Sequence, residues 1–258
     1  MGASVVDIGP RLAVVLVVLA ALAALAGRWS GLAQDRPILV ASLRATVQLA
    51  VVSAVLLVVV GSLWLSVAFA TVMIGVASVT AAARVTGRPL GAPGRRNRLP
   101  PVAVAVTAGA VPVAALVVVS GAVPLRGESL IPVAGILIGG AMTAVSLAGR
   151  RLREELGTRR GEVEAALALG LPRREAVLEI TRTAAATALV PPLDQTRTVG
   201  LVTLPGAFVG VLLGGGTPLE AGAAQLLVLV GLLATDAVAV WVTTELVARG
   251  RILDDVPR

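Results

Sequence analysis

The chain has 258 residues, 57% hydrophobic and only 14% charged, against about 25% charged in soluble domains; with a mean hydropathy of +0.93, that is a membrane composition. All 22 basic residues are Arg, and with no Lys, His or Cys there is no P-loop lysine, Schiff base, Ser-His-Asp or thiol chemistry, Cys/His metal site or disulfide. The net charge of +7 comes with 2% aromatic residues and no basic–aromatic interleaving, so it reads as an insertion signal and a fit to anionic lipid, not as a nucleic-acid surface.

Apolar stretches recur at residues 8–27, 38–60, 62–83, 100–121, 130–149, 186–214 and 222–247. Each approaches the ~20 residues that cross a hydrocarbon core as a helix. The expected fold is therefore all-α and polytopic, with about seven transmembrane helices in one domain spanning 1–258. In the first stretch, Leu12–Ala26 follows Arg11 and ends in a secretory-type Ala24-Leu25-Ala26; with six further spans behind it, an uncleaved helix is expected. The second carries Arg44 and Gln48 one turn apart. The fifth holds Gly135 and Gly139, and the sixth Gly206, Gly210 and Gly214. Spacing by four puts each set on one helix face, as in small-residue packing ladders within or between subunits; the alternative for residues 206–214 is the lining of a flexible gate. Pro191-Pro192 interrupts the sixth stretch near its start, and Asp236 falls near the middle of the seventh.

The arginines set the orientation. Eighteen of the 22 fall in the connections between spans one and two, three and four, and five and six, or in the tail after span seven. The positive-inside rule makes that side cytoplasmic, with the N-terminus outside and the C-terminus inside.

The longest connection, residues 150–185, carries the densest pattern. Glu164-Ala165-Ala166 is followed by three residues, Gly170, nine residues and Ile180. This is the spacing of the EAA cytoplasmic loop of ABC-transporter permeases, on which an ATP-hydrolysing subunit acts. Glu164 to Leu169 favours helix, Gly170 suits a left-handed helix end, and Pro172 suits the start of the next helix. Two short helices meeting at an angle are expected, with Val163, Leu167, Val177 and Ile180 offering an apolar face to a partner. Glu162, Glu164, Ala165, Ala166, Gly170 and Ile180 are the candidate coupling residues.

Polar groups at membrane depth are costly and mark candidate solute positions. They are Arg44, Gln48, Thr143, Asp194, Gln195, Arg197 and Asp236, and the Met142 thioether beside Thr143 joins them as a candidate solute contact. Broken helices are where transporters build binding sites, which draws attention to Asp194, Gln195 and Arg197 behind the proline pair. The plainer alternative is a set of interhelix ion pairs, Arg44 or Arg197 with Asp194 or Asp236. Hard cations take oxygen ligands, so Asp194, Gln195, Asp236, Thr143 and Thr196 suit Fe(III) or Al(III), while two carboxylates offset by two arginines equally suit an anionic complex. No metal is assigned.

The run Leu147-Ala148, Arg151-Leu152, Glu155-Leu156, Arg159-Arg160 and Glu162 to Gly170 resembles the FetB-type permease family of iron-export ABC transporter subunits, whose plant relatives are associated with aluminium tolerance. The resemblance continues through Pro192-Leu193-Asp194, Thr198 to Val202, Leu204-Pro205-Gly206, Gly210, Gly215, Pro218 and Gln225, and includes Arg44 to Leu49. It implies a plasma-membrane permease that forms a homodimer, sits in lipid, binds no cofactor and no nucleic acid, and pairs with a cytoplasmic ATP-binding subunit carrying ATP and Mg²⁺. It also implies outward transport of a metal or metal-linked solute. Where the family tends to carry Asn-Ser-Met-Asn, this chain has Gly140-Ala141-Met142-Thr143; where it tends to carry paired methionines, Ala207-Phe208; and Val211 replaces a usual Gln. The coupling segment thus matches better than the solute path. A gradient-driven secondary transporter or channel is the alternative, and a membrane-embedded enzyme is the weakest, with Asp194 and Asp236 its only carboxylate pair.

Overall fold

The computed structural model describes residues 9–31, 33–87 and 98–253. Ile8, the first residue of the first apolar stretch, and Arg88, Arg95, Arg96 and Arg258 of the cytoplasmic set lie outside the described residues. Contacts divide the chain into two compact units, Met1–Gly61 and Ser62–Arg258.

The first unit is a helical hairpin. Helix α1 (Pro10–Trp29) begins on a proline, whose missing amide is no loss in a first turn. Helix α2 (Asp35–Val59) opens with an acid that complements the helix dipole. Gly27 lets the two approach, since a Cβ there would lie 3.1 Å from Ile38 Cδ1.

The second unit is built on four long helices: α3 (Leu63–Thr86), α4 (Leu99–Val119), α5 (Gly127–Thr158) and the last helix, Pro218–Ala248. Between α5 and the last helix come α6 (Arg160–Ala168), α7 (Arg173–Ala186), a 3₁₀ turn Thr187–Leu189, α8 (Val190–Thr198) and α9 (Gly206–Leu213), which makes the last helix α10. Among the described residues there is no strand, only the isolated bridge Val199–Thr203. Thr217 starts α10 with a capping box: its hydroxyl accepts from the Glu220 amide while the Glu220 carboxylate accepts from the Thr217 amide at 2.7 Å. Six helices among the described residues, α1 to α5 and α10, are long and apolar enough to cross a bilayer, and the protein is a multi-pass membrane protein.

The remaining expected span, residues 186–214, is not one continuous helix. Pro191-Pro192 sits in the first turn of α8, where missing amides cost little, and the chain passes from α7 to α8 through a single 3₁₀ turn. The interruption falls later, at 199–205, where Gly200 takes φ +79° and Pro205 precedes α9.

Helix α5 has 32 residues, about 48 Å at 1.5 Å per residue, so it outruns a ~30 Å hydrocarbon core and continues to the threshold of α6. It packs against α3, α4, α7 and α10. Small residues bring these helices together, with Ala81, Ala82, Ala105, Ala141, Ala148 and Ala239 fully buried. A Cβ at Gly149 would lie 2.5 Å from Val85 Cγ2, and one at Gly109 would lie 2.8 Å from the Thr235 carbonyl. The close crossings use these glycines and not the expected ladders. An added Cβ at Gly139, Gly206 or Gly210 meets nothing within 4 Å, at Gly135 it reaches only Met73 Cε, and Gly214 faces its own helix end.

Candidate functional site

Two sets of residues stand out, one at the arginine-rich end of α5 and α10 and one around the interruption at 199–205. In the first, α6 and α7 form an elbow. Gly170 has φ +90°, a conformation costly for any side chain, and its amide donates to the Leu167 carbonyl at 2.9 Å. Pro172 caps α7 with φ −57°. The elbow's tip is apolar and outward: Leu169 is 82% exposed and Leu171 38%.

The expected apolar face points the other way. Val163 and Val177 are fully buried, Ile180 is nearly so, and Leu167 packs against the same core. These four anchor the elbow to the body of the chain and are not available to a partner; the period of the pattern gives one apolar face but not what covers it. Glu162, Glu164 and Ala165 are exposed, and Ala166 is half-buried.

Arg159 fixes the elbow's base. Its guanidinium donates through Nε to Glu162 at 2.8 Å, through Nη2 to the other Glu162 oxygen, and through Nη1 to Glu155 at 3.2 Å and to the Ile180 carbonyl at 3.2 Å. Hydrogen bonds donated to Glu162, then to Glu155, hold Arg159 protonated above its ordinary range, and Arg159 in turn holds the Glu162 carboxyl below the usual carboxylate range. Arg160 donates to Glu164 at 2.9 Å. Arg174 on α7 grips Glu245 on α10 with two bonds of 2.6 and 2.9 Å, and Arg249 adds a third at 2.6 Å. The elbow is thereby tied to both long helices. The Glu155–Arg159–Glu162 spacing of four and three is legible in sequence, whereas Arg174 and Glu245 are 71 residues apart and no local signal pairs them.

In the second set, Asp194 and Arg197 are brought together at 3.4 Å, with side chains 59% and 72% exposed. Gln195 is exposed beside them. Asp236 does not join them: it is 6% exposed, its Oδ1 has no hydrogen-bond partner among the described residues, and the pairing expected with Arg197 is not made. Met142 packs against the core, and Thr143 is exposed, its hydroxyl donating to the Gly139 carbonyl at 2.9 Å. In the first unit, Arg44 and Gln48 both lie on the exposed side of α2.

Gln225, absent from the expected site, is 4% exposed, and its Oε1 accepts from the Phe208 amide at 3.3 Å. It lines a cavity of about 300 Å³ between the interrupted segment and α10, walled by Val199, Gly200, Leu204, Pro205, Phe208, Gly222, Leu226 and Leu229. Its sequence signals are its place among the residues that carry the family resemblance and its isolation as a Gln in an apolar helix. Among the described residues no cluster of three or more His, Cys, Asp or Glu stands ready for a metal ion.

The chain belongs to the family described as "Uncharacterised protein family (UPF0014)", which matches residues 11–252. It is 43% identical over 117 residues to "UPF0014 membrane protein STAR2" of Oryza sativa subsp. japonica, covering 45% of this chain and 41% of the relative. It is 43% identical over 100 residues to "Protein ALUMINUM SENSITIVE 3" of Arabidopsis thaliana, covering 39% and 37%. Identity to "Probable iron export permease protein FetB" of Escherichia coli is 32% over 120 residues, 46% of each chain. The chain thus spans less than half the length of each of these relatives. No solved structure matches it.

Proposed function

We propose that this UPF0014 membrane protein is the membrane-spanning subunit of an ABC transporter, exporting a metal ion or metal-linked solute while a separate cytoplasmic subunit hydrolyses ATP. The observation that carries this reading is the elbow. An exposed apolar tip, Leu169–Leu171, stands on two helices clamped by Arg159 and Arg174 to α5 and α10. Such a tip suits a hydrophobic groove on a partner, and the clamps make it a lever on the two longest helices. A gradient-driven transporter or channel needs no such lever.

Export and metal come from relatives: one is named as a probable iron export permease and one for aluminium sensitivity. The transport unit contains two copies of this chain. Asp194, Gln195, Arg197 and Thr143 are polar yet outward-facing on a single chain, and polar groups in a lipid setting need polar company. The solute path runs by these residues and the cavity beside Gln225, with the N-terminus outside the plasma membrane and the C-terminus in the cytoplasm. ATP and Mg²⁺ stay with the partner.

Leu169→Asp tests the reading. The tip is open, so the variant should insert and fold normally. Losing an apolar anchor costs about 2 kcal/mol or more, roughly thirty-fold in affinity for the ATP-binding subunit, measured by co-purification and by ATP hydrolysis of the assembled complex. Glu164→Lys should weaken the same contact. Unchanged binding and hydrolysis in both variants would remove the coupling assignment.

A further inference from the structure

Asp236 lies near the middle of α10 with its Oδ1 buried and without a hydrogen-bond partner among the described residues; the hydroxyl of fully buried Thr235 is unpartnered in the same way. The carboxyl presses on bare main chain, because a Cβ at Gly140 of α5 would lie 2.9 Å from Asp236 Oδ1 and 2.5 Å from Leu232 Cδ2. On the α4 side, a Cβ at Gly109 would lie 2.8 Å from the Thr235 carbonyl and 2.9 Å from Ala239 Cβ. Three helices therefore close on this level through two glycines.

No countercharge faces Asp236 from the elements that pack on α10. Helices α4 and α9 carry no ionisable residue, and α5 carries none between Ser129 and Gly149. On α8, Asp194 and Arg197 pair with each other. The charges of α7 are Arg173, Arg174, Glu175, Glu179 and Arg182; of these, Arg174 is engaged with Glu245, nine residues along α10 from Asp236. On α10 itself Glu220 is bonded to Thr217, and Glu245 to Arg174 and Arg249.

A lone carboxylate in such a place carries a large desolvation cost, whereas a neutral acid can donate its O–H to a carbonyl of the preceding turn. Thr243 and Thr244 on the same helix already do so, to Ala239 at 2.7 Å and Val240 at 2.8 Å. We propose that Asp236 is a proton-binding site of the helix bundle, occupied while α5 and α10 are packed and emptied when they part. A conformational cycle that separates these helices would then release and recapture one proton per chain. The inference stands on the packing of α4, α5 and α10, not on the identity of the solute or of any partner.

The direct readout is infrared spectroscopy of the full chain in detergent micelles. The carbonyl stretch of a protonated carboxylic acid should be present at neutral pH in the wild type and missing in Asp236→Asn, since no other acid of the described residues is buried: each is exposed, paired with Arg or, at Asp35, half-buried in a first helical turn. Thermal unfolding gives the second readout. The unfolded chain releases this proton above about pH 4 and the folded chain keeps it, so wild-type stability should fall as pH rises from about 5 to 8. Asp236→Asn should lack that fall, and the gap between the two midpoints should change by a few degrees across the window. Absence of the acid band at neutral pH would overturn the proposal. So would an Asn variant melting several degrees below wild type at every pH, which would mean an ionised carboxylate held by a cation. If the variant does not fold, the wild-type band decides alone: present at neutral pH and lost on alkalinisation it supports the site, absent it sinks it.

Discussion

Gly87 and Gly250 close α3 and α10 in the left-handed conformation, with φ +64° and +67°. Each lies under a guanidinium: a Cβ at Gly87 would be 2.6 Å from Arg153 Nη1, and one at Gly250 2.7 Å from Arg173 Nη2. Arg153 meanwhile donates to the Val85 carbonyl at 2.9 Å, and Arg98 donates to the Arg251 carbonyl at 2.9 Å. Cations at helix C-termini satisfy orphan carbonyls and oppose the helix dipole, so these arginines staple helix ends as well as setting orientation. Gly87→Ala combines left-handed strain with a displaced cap and should destabilise by roughly 1–3 kcal/mol. Gly161→Ala, at an exposed helical position with open space around it, should be neutral or stabilise by about 0.5–1 kcal/mol. Thermal unfolding of the two variants in one detergent checks the contrast.

The interrupted segment shows why a proline pair is a poor locator of a break. Prolines in a first turn start a helix as readily as they end one, and Pro191-Pro192 starts α8; the irregular stretch comes at 199–205, with the cavity and Gln225 beside it. The Asp194–Arg197 pair on α8 is exposed at both ends, and such pairs contribute about 0–1 kcal/mol. Asp194→Asn and Arg197→Gln should accordingly leave insertion and folding yield close to wild type. If the segment lines the solute path, Asp194→Asn should still abolish transport. Measuring yield and export separately decides it: a collapse in yield rescued by the double variant would return Asp194 to a purely structural role.

At the scale of the whole chain, 18 of the 22 arginines fall in alternate connections between the apolar stretches and in the tail, the bias that the proposed insertion with the N-terminus outside requires. The native chain has no cysteine, so single introduced thiols report cleanly. Ala122→Cys, exposed between α4 and α5, should react with an impermeant thiol reagent in intact cells, and Gly161→Cys, exposed on α6, should be protected until the membrane is opened. The reverse pattern would put the elbow on the side without ATP and end the coupling reading.

Six long helices were legible from the sequence because bilayer thickness and backbone hydrogen bonding demand only a local run of apolar residues. The turn at Gly170 was legible for a similar reason, since left-handed backbone and a following proline act within a few residues. Burial was not. Val163, Val177 and Ile180 share a face by period, but only the fold turns that face onto the chain's own core. Spacing by four set Gly135 and Gly139, and Gly206, Gly210 and Gly214, in line, yet the tight crossings fall at Gly109, Gly140 and Gly149, because where two helices cross depends on their tilt and not on either sequence alone. For the same reason the sequence could offer Asp236 a partner among its arginines, while the packing of α4, α5 and α10 left its buried oxygen with none among the described residues.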